Sequence, residues 1–217
     1  MSSGVKLALG AAGALAALSI FSAHRSGSAS SSVVDVEGMV PELVRRWYNA
    51  LYPYDPPVQD PDDVDSFRLA DVGSMPAEVR QWWERATGTR VLGSGNFRVV
   101  VALGDGTVVK LALDSWGEKE NERELEAWQE YEGTPVSDFL APILSGWQHA
   151  VVMKQAKALS GEALTANARL RQAFEQRRAA VETLYRAGEH FIEDTYKPSN
   201  WGVLDGKIVL IDYAEAG

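Results

Sequence analysis

Hydrophobic positions change their spacing along the chain, and each change marks an element. Residues 5–23, VKLALGAAGALAALSIFSA, are apolar on every side apart from Lys6 and the serines. From Pro41 to Leu51 the apolar residues Val44, Trp47, Tyr48 and Leu51 fall on one stripe, which predicts a helix with proline in its first turn. Tyr52 to Asp65 holds four prolines and five aspartates and reads as an exposed loop. Ser74-Met75-Pro76 then opens a second helix to about Ala86, carrying Val79, Trp82 and Trp83. From Val91 the pattern turns to short β-branched runs: a strand ending at Val91-Leu92, a second over Val99–Leu103, a Gly104-Asp105-Gly106 turn and a return strand over Thr107–Leu113. Glu118 to Tyr131 is a charged helix, Phe139–Gly146 and His149–Met153 are two further strands, and Leu170–Ala187 is a regular helix closed by Gly188. Asp205-Gly206 is a hairpin turn between Trp201–Leu204 and Lys207–Ile211.

Composition narrows the function more than the fold. The net charge is −9, and residues 1–34 contribute only Lys6 and Arg25, so the rest of the chain sums to −11. A surface of that sign argues against nucleic acid as the main partner. The absence of cysteine excludes disulfides, thiol catalysis and Cys-type zinc sites, and three scattered histidines do not make a His-rich metal site. Leu7 to Ala23 would span roughly 25 Å as a helix, the lower limit for crossing a bilayer. A membrane anchor is the first expectation, a signal peptide or a helix buried in an assembly the alternatives. Gly10/Ala14 and Gly13/Ala17 are spaced for close helix packing. Residues 24–34 form a Ser/Gly-rich linker.

The chemistry concentrates in two stretches. In the first, Leu92–Lys110, Gly93 and Gly95 can bring bare backbone against a ligand. On the return strand Val108, Lys110 and Ala112 share one face, and a lysine there needs an anionic partner if the face is inward. A dinucleotide loop would need glycine at position 98 and a helix directly after it, but Arg98 and a strand stand there, and no GxxxxGK phosphate loop is present. In the second stretch, the hairpin brings Asn200 and Asp212 close together, an amide oxygen and a carboxylate of the kind a hard cation such as Mg²⁺ prefers.

Gly93, Gly95, Phe97, Val100 and Lys110 resemble the protein-kinase loop G-x-G-x-F-G-x-V with its strand lysine, and Lys197, Pro198, Asn200 and Asp212 resemble the D-x-K-P-x-N catalytic loop and the following D-F-G. The resemblance covers about Arg90–Tyr213 and extends to the shortened kinase-like proteins that bacteriophages encode. It implies an α+β fold: a kinase-like small lobe over 89–157, a five-stranded antiparallel sheet plus one helix, and a truncated helical large lobe over 158–217. An apolar helix and linker over 1–34 and a helical extension over 35–88 precede them. Trp47, Trp82 and Trp83 need cover, and the extension is expected to replace packing that the shortened large lobe lacks.

The resemblance further implies ATP and Mg²⁺ as cofactors. Lys110 would hold phosphates and pair with Glu124, with Glu120 second in line; Asn200 and Asp212 would bind the metal. Lys154–Leu159 would be the hinge for an adenine ring. Asp194, with Glu193 as fallback, would accept the substrate proton and Lys197 would steady the transferred group. Three departures point to a degenerate member. Thr195 stands where the catalytic aspartate belongs, Arg98 replaces the third glycine, and the sequence ends five residues after Asp212. The expectation is a kinase-like ATP/Mg-binding protein, pseudokinase-like, attached through residues 5–23 to a membrane or a virion-type assembly with the kinase-like part cytoplasmic. An active phosphotransferase and a structural protein on the same scaffold without nucleotide are the alternatives.

Overall fold

The computed structural model describes residues 36–53, 57–60, 75–95, 97–185 and 195–213. The apolar segment 5–23, the linker 24–34, most of the proline loop, Gly188, Glu193 and Asp194 lie outside the described residues.

The fold is α+β and is built on a five-stranded antiparallel sheet of order β1-β2-β3-β5-β4. Its strands are β1 (Arg90–Ser94), β2 (Arg98–Ala102), β3 (Thr107–Ala112), β4 (Ile143–Trp147) and β5 (Ala150–Lys154). Helices α1 (Val40–Leu51) and α2 (Ala77–Thr87) precede the sheet, and α3 (Ser115–Tyr131) follows β3. A second sheet holds β6 (Lys157–Ala158), β7 (Trp201–Leu204) and β8 (Lys207–Leu210), with α4 (Gly161–Ala166) and α5 (Ala168–Tyr185) between β6 and β7.

Strand alternation gives the large sheet two buried faces. Val91, Val99, Val101, Val109, Leu111 and Val152 point to one face, where Leu43, Val44, Trp47, Tyr48, Val79 and Trp83 of α1 and α2 cover them. Val108, Val151 and Met153 point to the other, together with Ala127 and Tyr131 of α3, Phe174 and Val181 of α5, and Trp201, Val209 and Leu210 of the second sheet. Trp47 and Trp83 are fully buried and Trp82 partly, but against the outer face of the large sheet. The tryptophans thus find the cover that the sequence called for, on the large sheet and not in place of large-lobe packing. Helix α5 finds its own cover, with Phe174 meeting Trp201 edge-on at 5.6 Å.

Local chemistry sets the ends of α3. Asp114 accepts hydrogen bonds from the backbone N–H of Trp116 and Gly117, so the helix starts three residues ahead of the run of charges. The first turn lies tight on the sheet: a Cβ on Gly117 would stand 2.2 Å from the Phe97 carbonyl oxygen and 3.0 Å from Ala112 Cα. The strand expected from Phe139 begins only at Ile143. Pro135–Phe139 is a 3₁₀ turn capped by Thr134, and Pro142 has no N–H to give to a ladder. Helix α4, for which the apolar pattern gave no sign, starts at Ser160, whose side chain accepts from Ala163 N–H. Among the described residues no helix is long and apolar enough to cross a membrane.

Candidate functional site

β2 and β3 place two cations on one face of the sheet. Arg98 pairs across the ladder with Ala112 and Val100 pairs with Lys110, so Arg98 and Lys110 are diagonal neighbours on the face turned toward α3. Both are buried, Arg98 at 6% exposure and Lys110 at 4%. Buried charge of that density needs anions at hydrogen-bond distance. Helix α3 supplies them at helical spacing with Glu120, Asn121 and Glu124, and the chain leaving β8 supplies Asp212.

The resulting network closes on itself. Lys110 Nζ donates to Glu124 Oε1 at 2.5 Å and to Asp212 Oδ1 at 3.1 Å. Arg98 Nη1 donates to Glu124 Oε2 at 2.9 Å and to Asn121 Oδ1 at 3.3 Å. Arg98 Nη2 donates to Asp212 Oδ1 at 2.5 Å, and Nε lies 2.8 Å from Glu120 Oε2. Asn121 Nδ2 donates to the Gln148 carbonyl at 2.9 Å, which fixes its amide so that Oδ1 faces the guanidinium. Glu124 is wholly buried, and its Oε1 also accepts from Tyr213 N–H at 3.2 Å. Tyr213 is itself anchored, its hydroxyl donating to the Ala141 carbonyl at 3.1 Å.

These contacts set the charge states. Asp212 is held down to about 2: burial would raise it, but the Lys110 and Arg98 charges and their hydrogen bonds prevail. Glu120 is pushed up, chiefly by burial, against the pull of Arg98. Burial acts against the charged form of Arg98, and the Glu124, Asp212 and Glu120 carboxylates overcome it and raise its pKa.

Lys110, Glu124 and Asp212 are thus brought together, with Val100 beside Lys110 on the same face. The glycine loop is shorter than its motif suggests. Gly93 lies in β1 opposite Val100, past a bulge, and Gly95 N–H bonds back to the Arg98 carbonyl at 2.8 Å. Phe97 stacks on Trp116 at 6.1 Å, and its carbonyl accepts from Leu113 N–H at 2.8 Å.

Asn200 meets Asp212 through its backbone: its carbonyl accepts from Ile211 N–H at 2.8 Å and Asp212 N–H at 3.3 Å. Lys197 is exposed, with Nζ 5.9 Å from the Tyr196 ring centre. Thr195 is buried and donates to Glu182 Oε1 of α5 at 3.2 Å, so that position serves α5 packing. The Lys154–Leu159 segment is partly sheet, with Lys157–Ala158 paired to β7 and Leu159 N–H bonded to the Trp201 carbonyl at 2.8 Å.

Arg98, Glu120, Asn121 and Tyr213 complete the site although none was assigned a first role from sequence. The sign was present for Arg98, because the alternation that turns Lys110 inward turns Arg98 to the same side. Among the described residues no group of three or more His, Cys, Asp or Glu is placed to hold a metal ion. No family model, no curated protein and no solved structure matches the chain.

Proposed function

We propose that the chain is a kinase-like, nucleotide-binding protein of the pseudokinase type, attached to a membrane or a virion-type assembly through residues 5–23. The observation that carries this reading is the 2.5 Å bond between Lys110 on β3 and the buried Glu124 on the next helix, with Asp212 3.1 Å from the same ammonium. A strand lysine, a helix glutamate and an aspartate following a strand are the trio that orders phosphates in kinases. The sheet order and the single helix after the third strand agree with a kinase small lobe.

Against turnover stands the base position. Thr195 is engaged with α5, and a threonine hydroxyl is a poor general base near neutral pH. Asp194 keeps the role of base only in the alternative of an active phosphotransferase. The self-contained ion network favours one further reading, a structural protein on the same scaffold with no nucleotide, because each charge in the network already has a protein partner.

Titration of the full chain with ATP, followed by calorimetry and by the thermal midpoint, separates these readings. Saturable heat at one nucleotide per chain and a raised midpoint are expected, both reduced in Lys110→Met. Neither heat nor a shift at millimolar ATP would leave the scaffold reading in place.

A further inference from the structure

The kinase-like reading calls for a divalent ion at Asp212, and the cations around the inner oxygen of that half-exposed carboxylate do not fit one. We infer that Arg98 is the resident cation of this ion network: its guanidinium holds the place at Asp212 that a divalent ion would take, so the site excludes divalent cations and a nucleotide enters without one. The nucleotide clause rests on the function proposed above; the exclusion of the ion does not.

Three observations carry it. Asp212 Oδ1 is within 2.5 Å of Arg98 Nη2 and 3.1 Å of Lys110 Nζ. A magnesium ion binds a carboxylate oxygen at about 2.1 Å, so an ion on Oδ1 would be driven against two cations that already share it. The guanidinium is also not free to swing away. Its Nε faces Glu120, its Nη1 faces Glu124 and Asn121, and it is 6% exposed. Leaving would strip a cation from Glu124, which has no access to water. Finally, Arg98 and Lys110 carry two positive charges against the three carboxylates of Glu120, Glu124 and Asp212. The network is one negative charge from balance, so the two resident cations already answer most of the demand that a divalent ion would meet.

The planar fork of arginine suits this task. It can serve three carboxylates and an amide at fixed angles, which a lysine ammonium cannot do from the same backbone position. Glycine at position 98, as in the kinase motif, would leave the place at Asp212 open to an ion.

Manganese, followed by electron paramagnetic resonance on the full chain in mild detergent, tests the exclusion directly. Wild type and Asp212→Asn should bind the same number of Mn²⁺ ions, all at the acidic surface. Arg98→Gly should gain one ion that Arg98→Gly/Asp212→Asn lacks; Arg98→Gln serves in its place if the glycine variant does not fold. A wild-type Mn²⁺ site lost in Asp212→Asn, or no gained ion in a folded Arg98 variant, overturns the inference.

ATP titrations in excess EDTA and in excess Mg²⁺ test the second clause. Dissociation constants within about twofold of each other are expected, while a tenfold or greater tightening by Mg²⁺ overturns it. If ATP binds in neither buffer, the nucleotide reading fails and the manganese comparison still decides the place of Arg98.

Discussion

At the scale of single residues, the ion network behaves as one object. Glu124 has no exposed surface and depends on Lys110, Arg98 and the Tyr213 N–H for its charge. Removing one partner from a buried ion pair costs about 3–5 kcal/mol, because the other charge stays behind. Lys110→Ala is therefore expected to lower the unfolding free energy by that amount in urea, and Lys110→Ala/Glu124→Ala to lower it by less than the two single changes together.

Acid should act through Asp212. Its carboxyl sits at about 2 in the folded chain against an ordinary 3.8, so it stabilises the fold above about pH 4 and loses that contribution as pH falls toward 2. Glu120 works in the opposite sense, since its raised pKa favours the fold at low pH. Unfolding free energy measured from pH 5 to 2 should fall less steeply in Asp212→Asn and more steeply in Glu120→Gln. Lys110 and Glu124 were legible from the sequence because a strand lysine and a helix glutamate occur in motif order. The part of Arg98 was not, because a substitution in a motif reads as a loss until alternation and register show where its side chain goes.

At the scale of elements, α3 is positioned by contact at its first turn. Gly117 lies so near the Phe97 carbonyl and Ala112 Cα that a methyl group there meets backbone, which cannot rotate out of the way. Gly117→Ala is expected to cost about 1–3 kcal/mol by overpacking, and to shift the Glu124 and Asn121 side-chain resonances although neither residue is touched. The two N-terminal helices act on the other face. Trp83 is fully buried, with Nε1 donating to Thr89 Oγ1 at 3.1 Å. Trp83→Ala should cost about 3–5 kcal/mol in denaturant unfolding. Four of the helices and the five strands of the large sheet were readable from spacing, and their assembly into one antiparallel sheet was what the kinase resemblance implied, whereas the late start of β4 and the whole of α4 turned on capping and proline positions that an apolar pattern does not display. That the tryptophans of α1 and α2 need cover was legible, but which face they cover was not, because a stripe names a buried face without naming its partner.

At the scale of the whole molecule, the two sheets are sewn together beside the ion network, where Tyr213 also reaches Ala141. Leu140 forms a parallel bridge with Leu210, and Ala141 N–H donates to the Leu210 carbonyl at 2.8 Å. Arg177 of α5 reaches both sides of that seam, with Nε donating to the Ile208 carbonyl at 3.0 Å and Nη2 to the Asp138 carbonyl. Within the large sheet, Gln155 N–H donates to the Gly106 carbonyl at 2.9 Å and lengthens the β3–β5 ladder by one bond. Two sheets joined in this way cannot part without first breaking main-chain bonds. The time course of deuterium uptake would register this. The Ala141 and Leu210 amides should exchange as slowly as those of Val109 and Val151 in the middle of the large sheet, in one cooperative step shared by both sheets.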